Sequence, residues 1–242
     1  MTIRYMRTLF IPPKGHGIAN LFIMLADFFY NHPGGVVHES IKDFEIGRWL
    51  TFHFDTTDRT DMPTYEAKIF INPSTMEHVH PLIRNLVSPS PELTTLLEKH
   101  KHLIDGVKLG VHVRRGASAP DSRNIVSFDT ETFASQEAVE QMIRMAESVN
   151  GPVFLASDSP MTKKYFPENV RTLDTGIAVV HDDVECKPSD RVGIFLDFFL
   201  LSQCPQIIVT GGNFPGHPGM STFGYMAAVY GNKRFVIVRN PT

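Results

Sequence analysis

The order of apolar segments in the second half of the chain limits its possible folds more than any other feature. From Val107 onward, short strand-like runs alternate with helical ones. Strands are expected at Lys108 to Val113, Val153 to Ala156, Val170 to Leu173, Ile207 to Thr210 and Phe235 to Val238. Between them, helical patterns run from Glu131 to Val149, near Thr162, from Asp190 to Ser202 and from Ser221 to Tyr230. The first of these repeats apolar residues at Val139, Met142, Ile143, Ala146 and Val149, steps of three and four that put them on one helical face. The strands are continuous apolar runs, as expected for strands covered on both faces. This alternation predicts an α/β fold with a parallel sheet between two helical layers.

The first half opens on a similar unit: a strand at Thr8 to Ile11, a Pro/Gly turn, and an apolar helix from Ile18 to Tyr30 that stops before Pro33-Gly34-Gly35. Short strands are expected at Gly35 to His38, Leu50 to Phe54 and Ala67 to Ile71, and helical patterns at Met76 to Leu86 and Pro91 to His102. The polar stretch Lys99 to Gly106 is the best boundary. It divides the chain into two α/β domains, residues 1–104 and 105–242. Ser189 stands after Pro188 at an N-cap position before a helix that is apolar nearly all round, which predicts that this helix is sandwiched, with Phe195, Phe198 and Phe199 in the core.

Charge removes several function classes. The 23 basic and 26 acidic residues leave a net charge of −3 with no long run of one sign, so the chain lacks an electrostatic footprint for nucleic acid or acidic lipid. The most apolar stretches, Leu21 to Tyr30 and Val192 to Leu201, are interrupted by Asp27 and Asp197 and are too short to span a bilayer. No apolar run suited to a signal peptide precedes Pro12-Pro13. Cys186 and Cys204 are the two cysteines and fit reduced thiols, although one disulfide is compatible with them. A soluble, cytoplasmic protein with no membrane span is expected.

Ligands of open α/β sheets bind beyond the carboxyl ends of the strands, and four such places carry candidate residues. Gly15-His16-Gly17 with Asn20 lies between a strand and a helix, where backbone amides can approach an anion; it reads equally as a tight turn and lacks a dinucleotide fingerprint. In Gly110 to Gly116 a buried strand runs into Arg114 and Arg115, whose forked guanidinium groups match phosphate oxygens, or else an internal carboxylate such as Asp121 or Asp158. His112, on the same strand, is a core histidine or a second donor. Val153 to Ser157 ends at Asp158, which suits a helix cap or an acceptor for the N–H edge of a base such as guanine. Finally, Gly211 to Gly219 is a glycine-rich loop leading into Ser221-Thr222 at a helix start, where amides, hydroxyls and the helix dipole converge, or which is simple capping.

These elements together resemble the fucosyltransferase superfamily of α-1,2-, α-1,6- and protein-O-fucosyltransferases. The resemblance is carried by Gly15, Gly17, Asn20 and Phe22; by His112, Arg114, Arg115 and Gly116; by Ala156, Ser157 and Asp158; and by Ser221, Thr222 and Phe223, in that order along the chain. It implies two Rossmann-like domains of the GT-B type with a cleft between them. It also implies a metal-independent, inverting transfer of fucose from GDP-fucose to a glycan hydroxyl. In that pattern Arg114, His112 and Asn20 form the catalytic group. Arg114 contacts the diphosphate with support from His112 and Arg115, Asp158 reads the guanine, Ser221, Thr222 and the Phe223 amide hold the β-phosphate, and Gly15 and Gly17 border the donor. The N-terminal domain faces the acceptor.

The residues themselves agree on the missing metal device: there is no Asp-x-Asp, and arginine with a helix N-terminus can neutralise a leaving diphosphate. Where many relatives follow the arginine pair with Gly-Asp or Thr-Asp, this chain has Ala117, with Asp121 as the nearest substitute. It has Asp158-Ser159 where some relatives have two aspartates, and a Gly/Pro/His insertion before Ser221. Transfer of another nucleotide-linked sugar, or a non-catalytic nucleotide- or glycan-binding role, are the competing readings. The pairs His78/His80 and His100/His102 are expected on the surface, because no third ligand stands at matching spacing; His181-Asp182-Asp183 reads as an exposed turn. No Gly-x-Ser-x-Gly elbow is present.

Overall fold

A computed structural model describes residues 7–9, 17–43, 46–59, 61–65, 73–114, 134–173, 192–211 and 220–241. The chain divides into two compact units, Met1–Thr94 and Thr95–Thr242.

In the first unit, strands β1 (Thr8–Leu9), β2 (Val36–His38), β4 (Thr56–Thr57) and β5 (Thr64–Tyr65) form a parallel sheet in the order β4-β2-β1-β5. Helix α1 (Ile18–Asn31) makes the crossover from β1 to β2. Ile18, Ala19, Leu21 to Ala26 and Phe28 are all buried, so this helix is enclosed rather than half-exposed. It stops at His32, which leaves helical geometry just before Pro33. Asp27, the carboxylate that interrupts its apolar run, accepts from the Tyr65 hydroxyl at 2.6 Å and from Asn31 Nδ2 at 3.2 Å. Burial, and then this carboxylate, push the Tyr65 phenol up to about 12.

The rest of the unit departs from the expected alternation. Strands β3 (Leu50–Phe52) and β6 (Val87–Pro89) pair antiparallel, and β4, β5 and β6 were not anticipated because each has only two or three residues. The expected helix at Met76 to Leu86 is α3 (Pro73–Val79), a 3-10 turn at His80–Leu82 and α4 (Ile83–Leu86), with Pro81 at the interruption. α2 (Ile46–Trp49) precedes β3, and α5 (Pro91–His100) follows β6. His80 is not on the surface: it is buried, and loss of solvent holds its imidazole down at about 4, with Asp27 opposing. The expected strand at Ala67 to Ile71 and the residues Phe10 and Ile11 lie outside the described residues.

The second unit matches its expected pattern closely. Strands β7 (Leu109–Val113), β8 (Val153–Ser157), β9 (Val170–Thr172), β10 (Gln206–Thr210) and β11 (Arg234–Val238) form an all-parallel sheet in the order β11-β10-β7-β8-β9. Counted within this unit, the order is 5-4-1-2-3, the doubly wound arrangement. Side chains alternate across β7. Leu109, Val111 and Val113 join Ala138, Val139, Met142 and Ala146 of α6 (Gln136–Glu147) in one core. Gly110 and His112 face α8 (Val192–Gln203) and α9 (Thr222–Gly231) on the other side. Ser135 caps α6 by accepting from the Ala138 amide, and Ser159 caps α7 (Pro160–Tyr165) from Thr162. As expected, α8 is sandwiched, with Phe195, Phe198 and Phe199 buried; Ser189 lies outside the described residues. Cys204 is buried and free, and Cys186 also lies outside them.

Helix α8 approaches β7 closely because Gly110 has no side chain: a Cβ there would come within 2.8 Å of Leu201 Cδ1 and 2.9 Å of Cys204 Cβ. Gly110→Val is therefore expected to lower the unfolding free energy by about 1–3 kcal/mol, through overpacking between sheet and helix. Urea denaturation checks this; unchanged stability would show that α8 gives way without cost.

Candidate functional site

The chain leaves β7 toward α6 on one face of the sheet and leaves β10 toward α9 on the other. Between these neighbouring strands the connections part, and at such a switch point α/β sheets bind ligands in a crevice at the carboxyl edge. Arg114 follows β7 directly and is half-buried. Asp158 follows β8, and because Val113 pairs with Ser157, Arg114 and Asp158 occupy adjacent positions at the sheet edge.

Across the crevice, Ser221 opens α9. The loop after β10 departs and returns at one place, since Gly211 bridges Met220 and the Ser221 amide donates to the Thr210 carbonyl at 2.7 Å. Ser221 stands at the N-cap but makes no side-chain cap bond, and its buried hydroxyl has no partner. Thr222 and Phe223 follow in the first turn, half-buried. The Phe223 ring stacks on His112, with centroids 5.0 Å apart and planes 28° apart, while Phe198 packs edge-on against Phe223 at 5.5 Å. Gly224 makes room for the imidazole: a Cβ at that position would lie 3.0 Å from His112 Nδ1.

His112 is buried, and its Nδ1 has no hydrogen-bond partner. Burial, reinforced by the Arg114 charge, brings its imidazole down to about 3, so it is neutral at physiological pH. Asp197 is the second such group. Leu201 sits on Gly110 of β7, and the crossover helix α8 runs antiparallel to the strands, so Asp197, one turn earlier, lies toward the His112 end of β7. The residue is 2% exposed and its Oδ1 has no hydrogen-bond partner. Desolvation raises its carboxyl to about 7, against the charge of Lys163. Three buried polar atoms without partners, His112 Nδ1, Asp197 Oδ1 and Ser221 Oγ, are thus found on the elements that border one crevice. Buried polar groups are normally satisfied, so each of these atoms is an exception.

Of the residues singled out in sequence, His112, Arg114, Asp158, Ser221, Thr222 and Phe223 therefore lie at the carboxyl edge of one sheet. Gly17 and Asn20 belong to the first unit. Gly17 is the extended N-cap of α1, its carbonyl accepting the Leu21 amide at 3.1 Å, and Asn20 Oδ1 is buried without a partner. Gly15, Arg115, Gly116, Ala117, Asp121 and the loop 212–219 lie outside the described residues. Asp197 and Thr210 were not singled out as site residues. For Asp197 a signal existed: a lone carboxylate in a helix otherwise apolar all round. Among the described residues no group of three or more His, Cys, Asp or Glu could hold a metal ion, and no helix is long and apolar enough to cross a membrane.

No family model and no curated protein matches the chain. Solved structures do. Arabidopsis thaliana FUT1, as a mutant in complex with GDP, aligns at 11% identity and a TM-score of 0.59, over 98% of this chain and 71% of that one. The fucosyltransferase NodZ from Bradyrhizobium aligns at 15% identity and a TM-score of 0.53, over 92% of both chains. Against NodZ α-1,6-fucosyltransferase co-crystallised with GDP, the aligned region is 71% of this chain and about half, 52%, of that protein. The chain thus has an α/β fold with parallel sheets. In particular, that fold is the one found in the fucosyltransferases NodZ and FUT1.

The raised Asp197 carboxyl has a pH signature. A folded-state value near 7 against an ordinary 3.8 means that the native state holds a proton the unfolded chain has lost between those values. The associated stability is present below about pH 4 and is lost as pH rises through 7. Asp197→Asn is expected to flatten that part of the stability curve, measured by urea denaturation from pH 4 to 8. An unchanged slope would show that Asp197 is not the titrating group.

Proposed function

We propose that the protein is a metal-independent, inverting glycosyltransferase that moves fucose from GDP-fucose to a glycan hydroxyl. The observation that carries this reading is at the carboxyl edge between β7 and β10, where Thr210 ties the backbone of Arg114 to the start of α9, beside the stacked pair His112 and Phe223. The fold shared with NodZ and FUT1 supports it. In this reading the Thr95–Thr242 unit is a Rossmann-like donor domain, and the Met1–Thr94 unit is a second Rossmann-like domain that supplies the acceptor side of a cleft.

Transfer with inversion breaks the bond from the sugar anomeric carbon to the diphosphate oxygen while the acceptor oxygen bonds from the opposite face. The acceptor proton passes to a base, and GDP leaves with the electron pair. Negative charge therefore grows on the diphosphate as the sugar becomes oxocarbenium-like. In this reading Arg114 meets that charge, with Arg115 in support, and the amides of Thr222 and Phe223 with the Ser221 hydroxyl offer a positive dipole to the β-phosphate. These groups take the part a metal plays in other nucleotide-sugar enzymes. Asp158, at the end of β8, is the carboxylate assigned to the N–H edge of guanine. His112, neutral and held against Phe223, supports Arg114 from the strand. By the sequence resemblance Gly15 and Gly17 are assigned to donor binding and Asn20 to catalysis.

GDP-fucose and GDP are expected to raise the melting temperature while UDP-sugars do not; a ligand at a hundred times its Kd adds about 2.7 kcal/mol. Arg114→Ala is expected to lower kcat for GDP release by about a hundredfold or more while the protein stays folded. Full transfer by that variant would overturn the assignment, and stabilisation by UDP-sugars in place of GDP-sugars would redirect it. Ala117, which stands where relatives carry an acid, favours one other reading, a non-catalytic GDP-binding protein. Tight GDP binding with no donor hydrolysis and no transfer to any glycan would select it.

A further inference from the structure

Thr210 faces no ligand in the arrangement above, yet it joins both sides of the crevice. It is the last residue of β10 and is wholly buried. Backbone pairing between β10 and β7 runs through Ile207–Gly110, Ile208–Val111 and Val209–His112. Beyond those pairs the Thr210 hydroxyl continues the connection. Its Oγ1 donates to the His112 carbonyl at 2.8 Å and accepts the Arg114 amide at 2.9 Å. Its own carbonyl accepts the Ser221 amide at 2.7 Å. One residue thus sets the backbone of Arg114 on one side and of Ser221 on the other. A hydroxyl is needed, because a single atom must donate and accept at once; valine has the same shape and does neither.

We propose that Thr210 is a positioning residue for the terminal phosphate of a nucleoside diphosphate: its hydroxyl fixes where Arg114 leaves β7 relative to the start of α9. The proposal rests on the donor-site reading. Loosening the Arg114 backbone should weaken what the arginine holds and spare contacts made elsewhere on the nucleotide. A role in stability alone would not make that distinction.

The test is calorimetric titration of the full chain with GDP and with GMP, using wild type, Thr210→Val, Thr210→Ser, Arg114→Ala and the Val/Ala double variant. Thr210→Val is expected to bind GDP about tenfold more weakly, with GMP changed by less than about threefold, and Thr210→Ser to recover most of the loss. In the Arg114→Ala background, Thr210→Val should cost little more, because it acts through that arginine. Wild-type GDP affinity in Thr210→Val, equal losses for GDP and GMP, or an undiminished loss in the Arg114→Ala background would each overturn the proposal. If Thr210→Val gives no cooperative urea transition, Thr210→Cys replaces it. The thiol is a poor donor and acceptor, so a GDP-to-GMP affinity ratio equal to that of Thr210→Ser would overturn the proposal. Failure of wild type to bind GDP would instead refute the donor-site reading, and this inference with it.

Discussion

Strand β7 has no face toward water, and much of the second unit follows from that constraint. Its residues Leu109 to Val113 are all buried, with α6 on one side and α8 and α9 on the other. A parallel strand in the centre of a sheet needs helical cover on both faces, because its connections must cross over. Two opposed helical layers in turn require neighbouring connections to part somewhere. Here they part between β7 and β10. The crevice is a consequence of covering both faces, and the chain places its polar residues where the apolar strands end.

Hydrogen bonds through Thr210 hold the backbone at that edge, whereas the His112 side chain is held by apolar neighbours. His112 lies between the absent side chain of Gly224 and the ring of Phe223, which Phe198 buttresses in turn. Such packing fixes the imidazole while leaving Nδ1 unsatisfied, and desolvation keeps it neutral. Asp197 illustrates the same principle for an acid: burial in an apolar helix raises its carboxyl toward neutrality, and Lys163 only partly offsets this.

Much of the second unit was legible in sequence. Strand positions in β7, β8, β10 and β11, the α6 face and the enclosed α8 all followed from periodicity, because long buried elements need many apolar residues in register. The first unit was less legible. Its strands β4 and β5 have two residues each, too few to show a period, and Pro81 splits a helical pattern into α3, a 3-10 turn and α4. His80 was misplaced because a histidine carries no mark of burial, whereas the surrounding core buries it and depresses its pKa.

The sequence alone determined the α/β class, the alternating layers and the residues that end each strand, since these depend on local period and residue type. The tertiary structure decided which strand ends are neighbours. Pairing β7 with β10, residues almost a hundred positions apart, brings Arg114, Thr210 and Ser221 together. It also showed Asp197 to be a buried carboxyl with an unsatisfied Oδ1 rather than a charge breaking up an apolar run. The physical reason is that strand order and desolvation arise from contacts distant in sequence. No local pattern records what a side chain will lose when another element packs over it.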